Sequence, residues 1–271
     1  MTKNTELEEI ALNLRKKIIE ISYISKAHHI GSELSCIDIL VSLYFKIMNI
    51  YPKEPTHKDR DYFILSKGHA ALALYVTLMQ KGFFSENFLK SEFLSNGGQL
   101  GGHPDKNLDN GIEISTGSLG QGLSIAAGIA LMNKKDNKKN KTFVLLGDGE
   151  CNEGMIWEAT LFAGHEKLDN LLAIIDYNKL QGLGSTSEII NLEPLKEKFR
   201  SFGWNTMLVD GHDIKSIITT IEKMFLHKNK PNLLIARTVK GKGIAFMENK
   251  FESHYEVLDK DKYIEAIKGL K

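Results

Sequence analysis

The sequence predicts an α/β fold in which a parallel sheet carries helices on both faces. Short, β-rich apolar runs alternate with segments of helical periodicity throughout the second half of the chain. Such alternation is typical of parallel βαβ units, in which the crossover helices cover the sheet. No internal repeat, low-complexity tract or linker interrupts the pattern. We therefore predict a single domain over residues 1–271.

Five runs are predicted as strands because each is short, apolar and bounded by turn residues. They are Tyr62–Leu65, Phe143–Leu146, Leu171–Asp176, Trp204–Val209 and Asn232–Ala236. A turn with polar residues follows each run. Because parallel strands place their carboxyl ends at the same edge of the sheet, we expect these polar residues to share that edge.

The helices are predicted from apolar spacing and from capping residues. A helix over 5–27 comes first, and Gly31 then breaks the pattern. Ser32 or Ser35 is expected to cap a second helix, Ile37–Met48, and Asp213 is expected to cap the helix Ile217–Phe225. The other predicted helices begin at Ala70 and Asp259 or span 85–95, Leu123–Met132, Met155–Lys167 and Pro194–Phe199.

Composition excludes several classes of function. The chain has 271 residues, 42% of them hydrophobic, and a formal net charge of +1, so we expect no nucleic-acid partner and no attraction to anionic membranes. No apolar run approaches membrane-spanning length, and the polar amino terminus shows no signal peptide. Two cysteines give no disulfide framework. The expected compartment is the cytoplasm.

Two strand ends suggest a cation site. Gly147-Asp148-Gly149 follows one predicted strand, and Tyr177-Asn178 follows the next. Neighbouring parallel strands place their carboxyl ends side by side, and carboxylate and amide oxygens suit Mg²⁺, which completes its shell with phosphate and water. On its own, however, Gly-Asp-Gly is more often a strand-end turn with an Asx cap.

Further polar residues follow other strands or precede a helix. His69 lies at a strand-to-helix corner, the loop 117–122 is rich in glycine ahead of a helix, and Lys240 follows the last strand. Free amide groups at a helix amino terminus suit an anion. A tight turn that packs the helix on the sheet explains the glycines equally well.

Together these motifs resemble transketolase. Gly147-Asp148-Gly149, then 28 residues, then Asn178 is similar to the thiamine diphosphate-binding motif. The family pattern is also matched by the following runs: Ser66-Lys67-Gly68-His69, Gly102-His103-Pro104, Thr116–Gly122, Asp210–Asp213 and Lys240–Gly243. The similarity covers nearly the whole chain and corresponds to the amino-terminal, diphosphate-binding half as it occurs in two-subunit transketolases.

The resemblance implies a role for individual residues. Asp148, Asn178 and the Leu180 carbonyl would hold Mg²⁺ or another divalent cation such as Ca²⁺ or Mn²⁺. Residues in contact with thiamine diphosphate or lining its pocket would be His69, Gly117, Ser118, Leu119, Gly149, Lys240 and His254. Glu153 resembles the acidic residue that links paired active sites.

The resemblance also implies the chemistry. A two-carbon ketol unit would pass from a ketose phosphate to an aldose phosphate, as in the pentose phosphate pathway, with the cofactor as electron sink. His29 would bind sugar and cofactor, and His103 would bind substrate hydroxyls. Imidazoles that titrate near neutrality suit the proton movements. His29, His69, His103 and His254 are therefore the candidate catalytic residues.

A transketolase of this kind needs a partner, because in the family the activating glutamate lies on the pyrimidine-binding domain. The chain ends before that domain, so we expect it to be inactive alone and to pair with a separate carboxyl-terminal subunit, as an α2β2 assembly. The alternatives are a subunit similar to deoxyxylulose-phosphate synthase and a non-catalytic cofactor-binding module. A Rossmann-type nucleotide binder is more distant, since the dinucleotide fingerprint is missing.

Three residues depart from the family pattern. His28 replaces the glycine that usually precedes the motif histidine, and Tyr255 replaces the glycine after the carboxyl-terminal histidine. Glu256 follows where many relatives have a small or basic residue. The last two departures, Tyr255 and Glu256, leave room for an unusual acceptor or donor sugar.

Overall fold

The core of the fold is a five-stranded parallel sheet. The computed structural model describes residues 3–270, so Met1, Thr2 and Lys271, which the predicted domain includes, lie outside the described residues. The strands are β1 (Tyr62–Leu65), β2 (Thr142–Gly147), β3 (Leu171–Tyr177), β4 (Asn205–Asp210) and β5 (Asn232–Arg237). Their order across the sheet is β1-β2-β3-β5-β4, and every neighbouring pair is parallel. All five predicted strands are confirmed within two residues at each end.

Helices cover both faces of this sheet. They are α1 (Lys3–Ser25), α2 (Ile30–Ser35), α3 (Ile37–Ser42), α4 (Ala71–Lys81), α5 (Glu86–Glu92), α6 (Gln121–Lys135), α7 (Gly154–His165), α8 (Thr186–Ile189), α9 (Leu195–Ser201), α10 (Ile214–Met224) and α11 (Lys260–Gly269). A π-helical turn, Leu43–Ile47, continues α3. Short 3₁₀ turns occur at Gly68–Ala70, Leu108–Asn110, Gly149–Asn152 and Phe251–His254. No helix within residues 3–270 is long and apolar enough to cross a membrane.

The strands bury side chains on both sides, which explains their continuous apolar sequences. In β2, Phe143 and Leu145 enter the core beneath α1, α3, α4 and α10, whereas Val144 and Leu146 enter the core beneath α6, α7 and α9. This alternation follows from the two-residue period of a strand. The predicted fold class, a parallel sheet flanked by helices on both faces, is confirmed.

Two predictions about local structure were wrong. Gly31 does not break the helical pattern but lies inside α2, where a Cβ would stand 2.1 Å from Ser253 Oγ. The close approach of the Ser253 side chain to the α2 backbone therefore explains this glycine. Neither Ser32 nor Ser35 caps α3, because both are buried in α2 and Cys36 precedes α3. The Asp213 cap of α10 is confirmed by its bond from Ser216 N.

Candidate functional site

The carboxyl edge of the sheet contains a cavity of about 340 Å³. Nine of the thirteen site residues expected from the sequence line it: His69, Leu119, Asp148, Gly149, Glu153, Asn178, Leu180, Lys240 and His254. They come from six separate segments of the chain, and the fold brings those segments to one edge of the sheet.

Asp148 and the turn after β3 form one wall of the cavity. β2 and β3 are hydrogen-bonded in parallel register, with Gly147 opposite Asp176. The Asp148 carboxylate accepts hydrogen bonds from Gly149 N at 2.8 Å and from Lys179 N. Asn178 Oδ1 accepts from Leu180 N at 3.0 Å. Lys179, whose amide donates to Asp148, has a left-handed backbone conformation with φ 65°.

Asp148 is only 2% exposed. Burial, together with the nearby Asp176 carboxylate, raises the pKa of Asp148 to about 7, although two backbone amides and Lys67 oppose the shift. A carboxylate in this position favours a cationic ligand that would keep it ionised. The donor types, one carboxylate, one amide oxygen and a neighbouring carbonyl, are those that Mg²⁺ and Ca²⁺ accept.

Two buried lysines form a second wall of the cavity. Lys67 and Lys240 are 1% and 2% exposed, and both line the cavity. Lys67 Nζ donates to the Ser32 carbonyl at 2.9 Å and forms an ion pair with Asp176. Lys240 Nζ donates to Ser32 Oγ at 2.8 Å. Ser32 thus fixes both ammonium groups beside the cavity, which makes this wall suitable for an anion.

The pKa values of the two lysines differ. Burial lowers the pKa of Lys240 to about 8, and repulsion from Lys67 acts in the same direction. For Lys67, burial is outweighed by the Asp176 charge, so its pKa is raised. Both ammonium groups are therefore mainly protonated at pH 7, and Lys240 is the one whose charge an added anion would stabilise.

The histidines form a connected group of rings at the other side. His29 lies 5.6 Å from His69, 5.8 Å from His103 and 4.8 Å from His254 between ring centroids. His69 and His254 line the cavity and contact each other; His29 contacts both of these rings, and His103 contacts His29. The four candidate catalytic histidines are therefore brought together as the sequence predicted.

Three of these imidazoles do not titrate near neutrality, contrary to the expectation from the sequence. Burial, followed by the effect of His103, lowers the pKa of His29 to about 4. Burial and Lys240 lower the pKa of His254 to about 3. Burial likewise lowers the pKa of His69 well below its ordinary value. These three rings are neutral at pH 7, so each can donate one hydrogen bond and accept another.

Two glycine-loop residues lie apart from the cavity lining within residues 3–270. Gly117 has φ +133°, and a Cβ there would lie 3.0 Å from the His103 ring. The glycine backbone therefore packs against the His103 side chain and not against the cavity. Ser118 is exposed and accepts from Gln121 Nε2 at 3.0 Å. Leu119 of the same loop does reach the cavity.

Sequence reasoning missed four residues that organise the site: Ser32, Lys67, Glu150 and Asp176. Glu150 is buried and ties three segments together. It accepts from Gly120 N at 2.9 Å, from Gly147 N at 3.0 Å and from Ser66 Oγ. The sequence did contain one indication of the charged residues among them, because each lies in or just after an apolar strand. Charged groups at such positions are rarely buried unless they are paired, so a buried pairing could have been expected.

Comparison with known proteins identifies the family of this chain. Residues 9–270 match the family described as transketolase, thiamine diphosphate binding domain. The chain belongs to the transketolase family. One of the subunits of the apulose-4-phosphate transketolase from Phocaeicola vulgatus is 44% identical over 256 residues, which cover 94% of this chain and 90% of that protein. The 6-deoxy-6-sulfo-D-fructose transketolase subunit SqwG of a Clostridium species is 40% identical, covering 98% of this chain and 96% of the relative.

Solved transketolase structures share the fold. The enzyme from Campylobacter jejuni superposes with a TM-score of 0.91 at 32% identity, covering 97% of this chain. The match covers 42% of that transketolase, so this chain spans less than half of the longer family members. The sequence-based assignment to a transketolase-type transferase subunit with a thiamine diphosphate-binding domain is confirmed.

Proposed function

We propose that this chain is the diphosphate- and metal-binding subunit of a two-subunit transketolase. The observation that carries the proposal is the convergence of nine expected site residues on one cavity. We further propose that the chain forms one domain, acts in the cytoplasm and serves the interconversion of sugar phosphates in the pentose phosphate pathway. The reaction would be transfer of a two-carbon ketol unit from a ketose to an aldose.

In this proposal Asp148, Asn178 and the Leu180 carbonyl hold a divalent cation, Mg²⁺ first among them. The fit rests on the buried, incompletely compensated Asp148 carboxylate and on the all-oxygen donor set. Within the described residues no group of three or more His, Cys, Asp or Glu side chains is suited to a metal, and the proposed set needs only one such side chain.

The cofactor is proposed to bind with its diphosphate against the lysine wall. Lys240 and Gly149 face the cavity beside Asp148, and Leu119 supplies an apolar contact. When bound, thiamine diphosphate supplies a carbon nucleophile and accepts the electron pair of the broken carbon–carbon bond. A diphosphate anion would raise the pKa values of Lys240 and His254, since opposite charge favours the protonated forms.

The histidines are proposed to handle the sugar. His69 and His254 line the cavity, and His29 and His103 lie next to this lining, where a sugar bound beside the cofactor would meet them. Neutral imidazoles both donate and accept, as hydroxyl groups require. Holding and orienting these hydroxyls is the role that the rings would have.

The partner is proposed to be a separate subunit with the pyrimidine-binding domain, in an α2β2 assembly. Three relatives of similar length are named as transketolase subunits, which supports this part of the proposal. Glu153 lines the cavity at the amino end of α7, and exposed Met155 and Phe162 follow on the same helix, seven residues apart. Glu153 would then link two active sites across this surface.

Reconstitution tests the function. The tagged chain is expressed with and without the product of an adjacent reading frame that encodes a pyrimidine domain, and ketol transfer from hydroxypyruvate to glycolaldehyde is measured. We expect transfer only by the complex, and we expect Asp148→Asn to abolish transfer and to weaken thiamine diphosphate binding. Ketol transfer by the chain alone would refute the two-subunit proposal. A complex with Asp148→Asn that keeps full activity would refute the assigned metal site.

A further inference from the structure

His28 and Tyr255, the two departures from the family pattern that lie next to site histidines in the sequence, contact each other. His28 Nδ1 lies 3.1 Å from the carbonyl oxygen of Tyr255, although 227 positions separate the two residues. Each replaces a glycine that the family resemblance would lead one to expect. Their contact indicates that the two substitutions form one structural feature of this chain.

Tyr255 occupies the mouth of the cavity. Its side chain lines the cavity while the residue remains 59% exposed. The ring lies 4.7 Å from that of His254, edge-on, and 6.3 Å from that of His29. The ring therefore lies next to two of the candidate catalytic histidines.

The Tyr255 hydroxyl reaches the turn after β3. A Cβ at Gly182 would stand 2.9 Å from this hydroxyl oxygen and 3.6 Å from His254 Cδ2. The tyrosine thus extends from the histidines to the loop that follows the proposed metal ligands. Within residues 3–270 the hydroxyl makes no hydrogen bond with the protein, so it can donate to a ligand.

Leu183 completes this outer wall. It also lines the cavity and is 85% exposed. The wall accordingly offers an aromatic face, an aliphatic side chain and one unpaired phenol hydroxyl. Such a surface suits a molecule with C–H groups on one side and a hydroxyl at its edge, because ligand sites combine apolar walls with a few orienting polar groups.

We propose that Tyr255, positioned by His28, is a specificity-determining residue that binds the carbons of a sugar beyond the transferred two-carbon unit. The substrate class is a ketose of five or more carbons whose distal carbons present C–H groups to the ring and a hydroxyl to the phenol. This inference rests on the proposed transketolase function and adds a contact made by this chain. His28 acts through the Tyr255 backbone and is a positioning residue.

The test uses the reconstituted complex and two donors. Hydroxypyruvate has no carbons that would reach Tyr255, whereas xylulose 5-phosphate has three beyond the ketol unit. We expect Tyr255→Gly to lower the ratio of kcat/KM for xylulose 5-phosphate to that for hydroxypyruvate at least fivefold. Tyr255→Phe keeps the ring and should lower the ratio less. Phe251→Ala, which removes an exposed aromatic side chain outside the cavity lining, should leave the ratio unchanged.

The contribution of His28 is tested separately. His28→Gly should lower the same kcat/KM ratio. His28→Asn should lower it less than His28→Gly, because the asparagine amide can donate to the Tyr255 carbonyl. The double variant His28→Gly with Tyr255→Gly should have the same ratio as Tyr255→Gly alone. If His28 had a purely structural role, its loss would lower kcat/KM for both donors by the same factor. Ratios within twofold of the wild-type value in Tyr255→Gly would overturn the proposal.

Binding gives a readout that does not depend on turnover. Xylitol 5-phosphate, which cannot be cleaved, is titrated calorimetrically into the complex. We expect Tyr255→Gly to weaken its binding at least fivefold, and unchanged binding would overturn the inference. A wild-type complex that transfers no ketol group but shows this fivefold difference would refute the proposed function while supporting the Tyr255 site.

Discussion

The backbone amide of His29 donates a hydrogen bond to the carbonyl oxygen of His254, 2.9 Å away. This bond joins the residue before α2 to the 3₁₀ turn Phe251–His254. His29 adopts a left-handed backbone conformation, φ 72° and ψ 11°, which is uncommon for a residue other than glycine. Strain of this kind persists where surrounding contacts fix it and occurs often at functional sites. The pairing holds two site histidines with ring centroids 4.8 Å apart.

Cation dependence is the first prediction. Asp148→Asn keeps the side-chain shape and removes the charge that a divalent cation would neutralise. We expect the Kd of thiamine diphosphate, measured calorimetrically on the complex in the presence of Mg²⁺, to rise at least about tenfold, as for other losses around metal sites. Treatment of the wild-type complex with EDTA should have a similar effect. Asp109→Asn, an exposed site away from the cavity lining, is the matched control.

The second prediction concerns the buried ion pair of Lys67 and Asp176. Lys67→Met leaves the Asp176 carboxylate, which is 0% exposed, without its cation. Removing one partner of a buried pair costs about 3–5 kcal/mol, so the free energy of unfolding should fall by roughly that amount in urea titrations.

A second variant shows whether the cost arises from the unpaired charge. Asp176→Asn removes the charge and keeps one oxygen that can accept from Ser35 or Thr238, while its NH₂ group can donate to the other hydroxyl. The double variant Lys67→Met with Asp176→Asn should recover at least half of the stability lost in Lys67→Met. Losses that simply add in the double variant would contradict this account.

The third prediction concerns Glu150, whose carboxylate joins the amides of Gly120 and Gly147. Glu150→Gln replaces one accepting oxygen with an NH₂ group that faces a donor. Leaving a buried amide unsatisfied costs about 1–3 kcal/mol, which should lower the free energy of unfolding by that amount. Glu158→Gln, at an exposed position on α7, should change it by less than about 0.5 kcal/mol. Equal losses in the two variants would show that Glu150 does not hold the loop.

Local sequence patterns were sufficient to predict the sheet and the Asp148–Asn178 pair. Strand β2 is a continuous apolar run and ends at a turn, so both its existence and its polar carboxyl end could be inferred from neighbouring residues. The same reasoning placed His69 and Lys240 at the correct edge. These inferences needed only the rule that parallel strands share an edge.

Long-range contacts explain what could not be predicted. Gly31 is required because α2 packs against Ser253, more than two hundred positions away, and a single sequence gives no indication of that approach. Lys67 and Asp176 pair across 109 positions, and either residue alone predicts an exposed charge. The low pKa values of His29 and His254 likewise depend on burial and on Lys240, which only the folded chain brings together.

The last prediction concerns the pH dependence of stability and the buried residue Glu33. Glu33 is 2% exposed, and its Oε2 lacks a hydrogen-bond partner among the described residues. Burial raises the pKa of Glu33 to about 8, although the Leu72 amide and Lys67 oppose the shift. The folded state therefore holds a proton between the ordinary pKa of glutamate and pH 8, a range in which the unfolded chain releases it.

It follows that Glu33 makes the protein less stable as the pH rises through this range. The contribution of Glu33 to the free energy of unfolding is fully present below the pKa that glutamate has in the unfolded chain. Above that pKa it falls by on the order of 1 kcal/mol per pH unit, and it levels off above about pH 8. Glu33→Gln cannot titrate. Urea unfolding at pH 6, 7 and 8 should show the stability of this variant rising relative to wild type with each step. A difference that stays constant over the three pH values would mean that Glu33 is already ionised in the folded protein at pH 6.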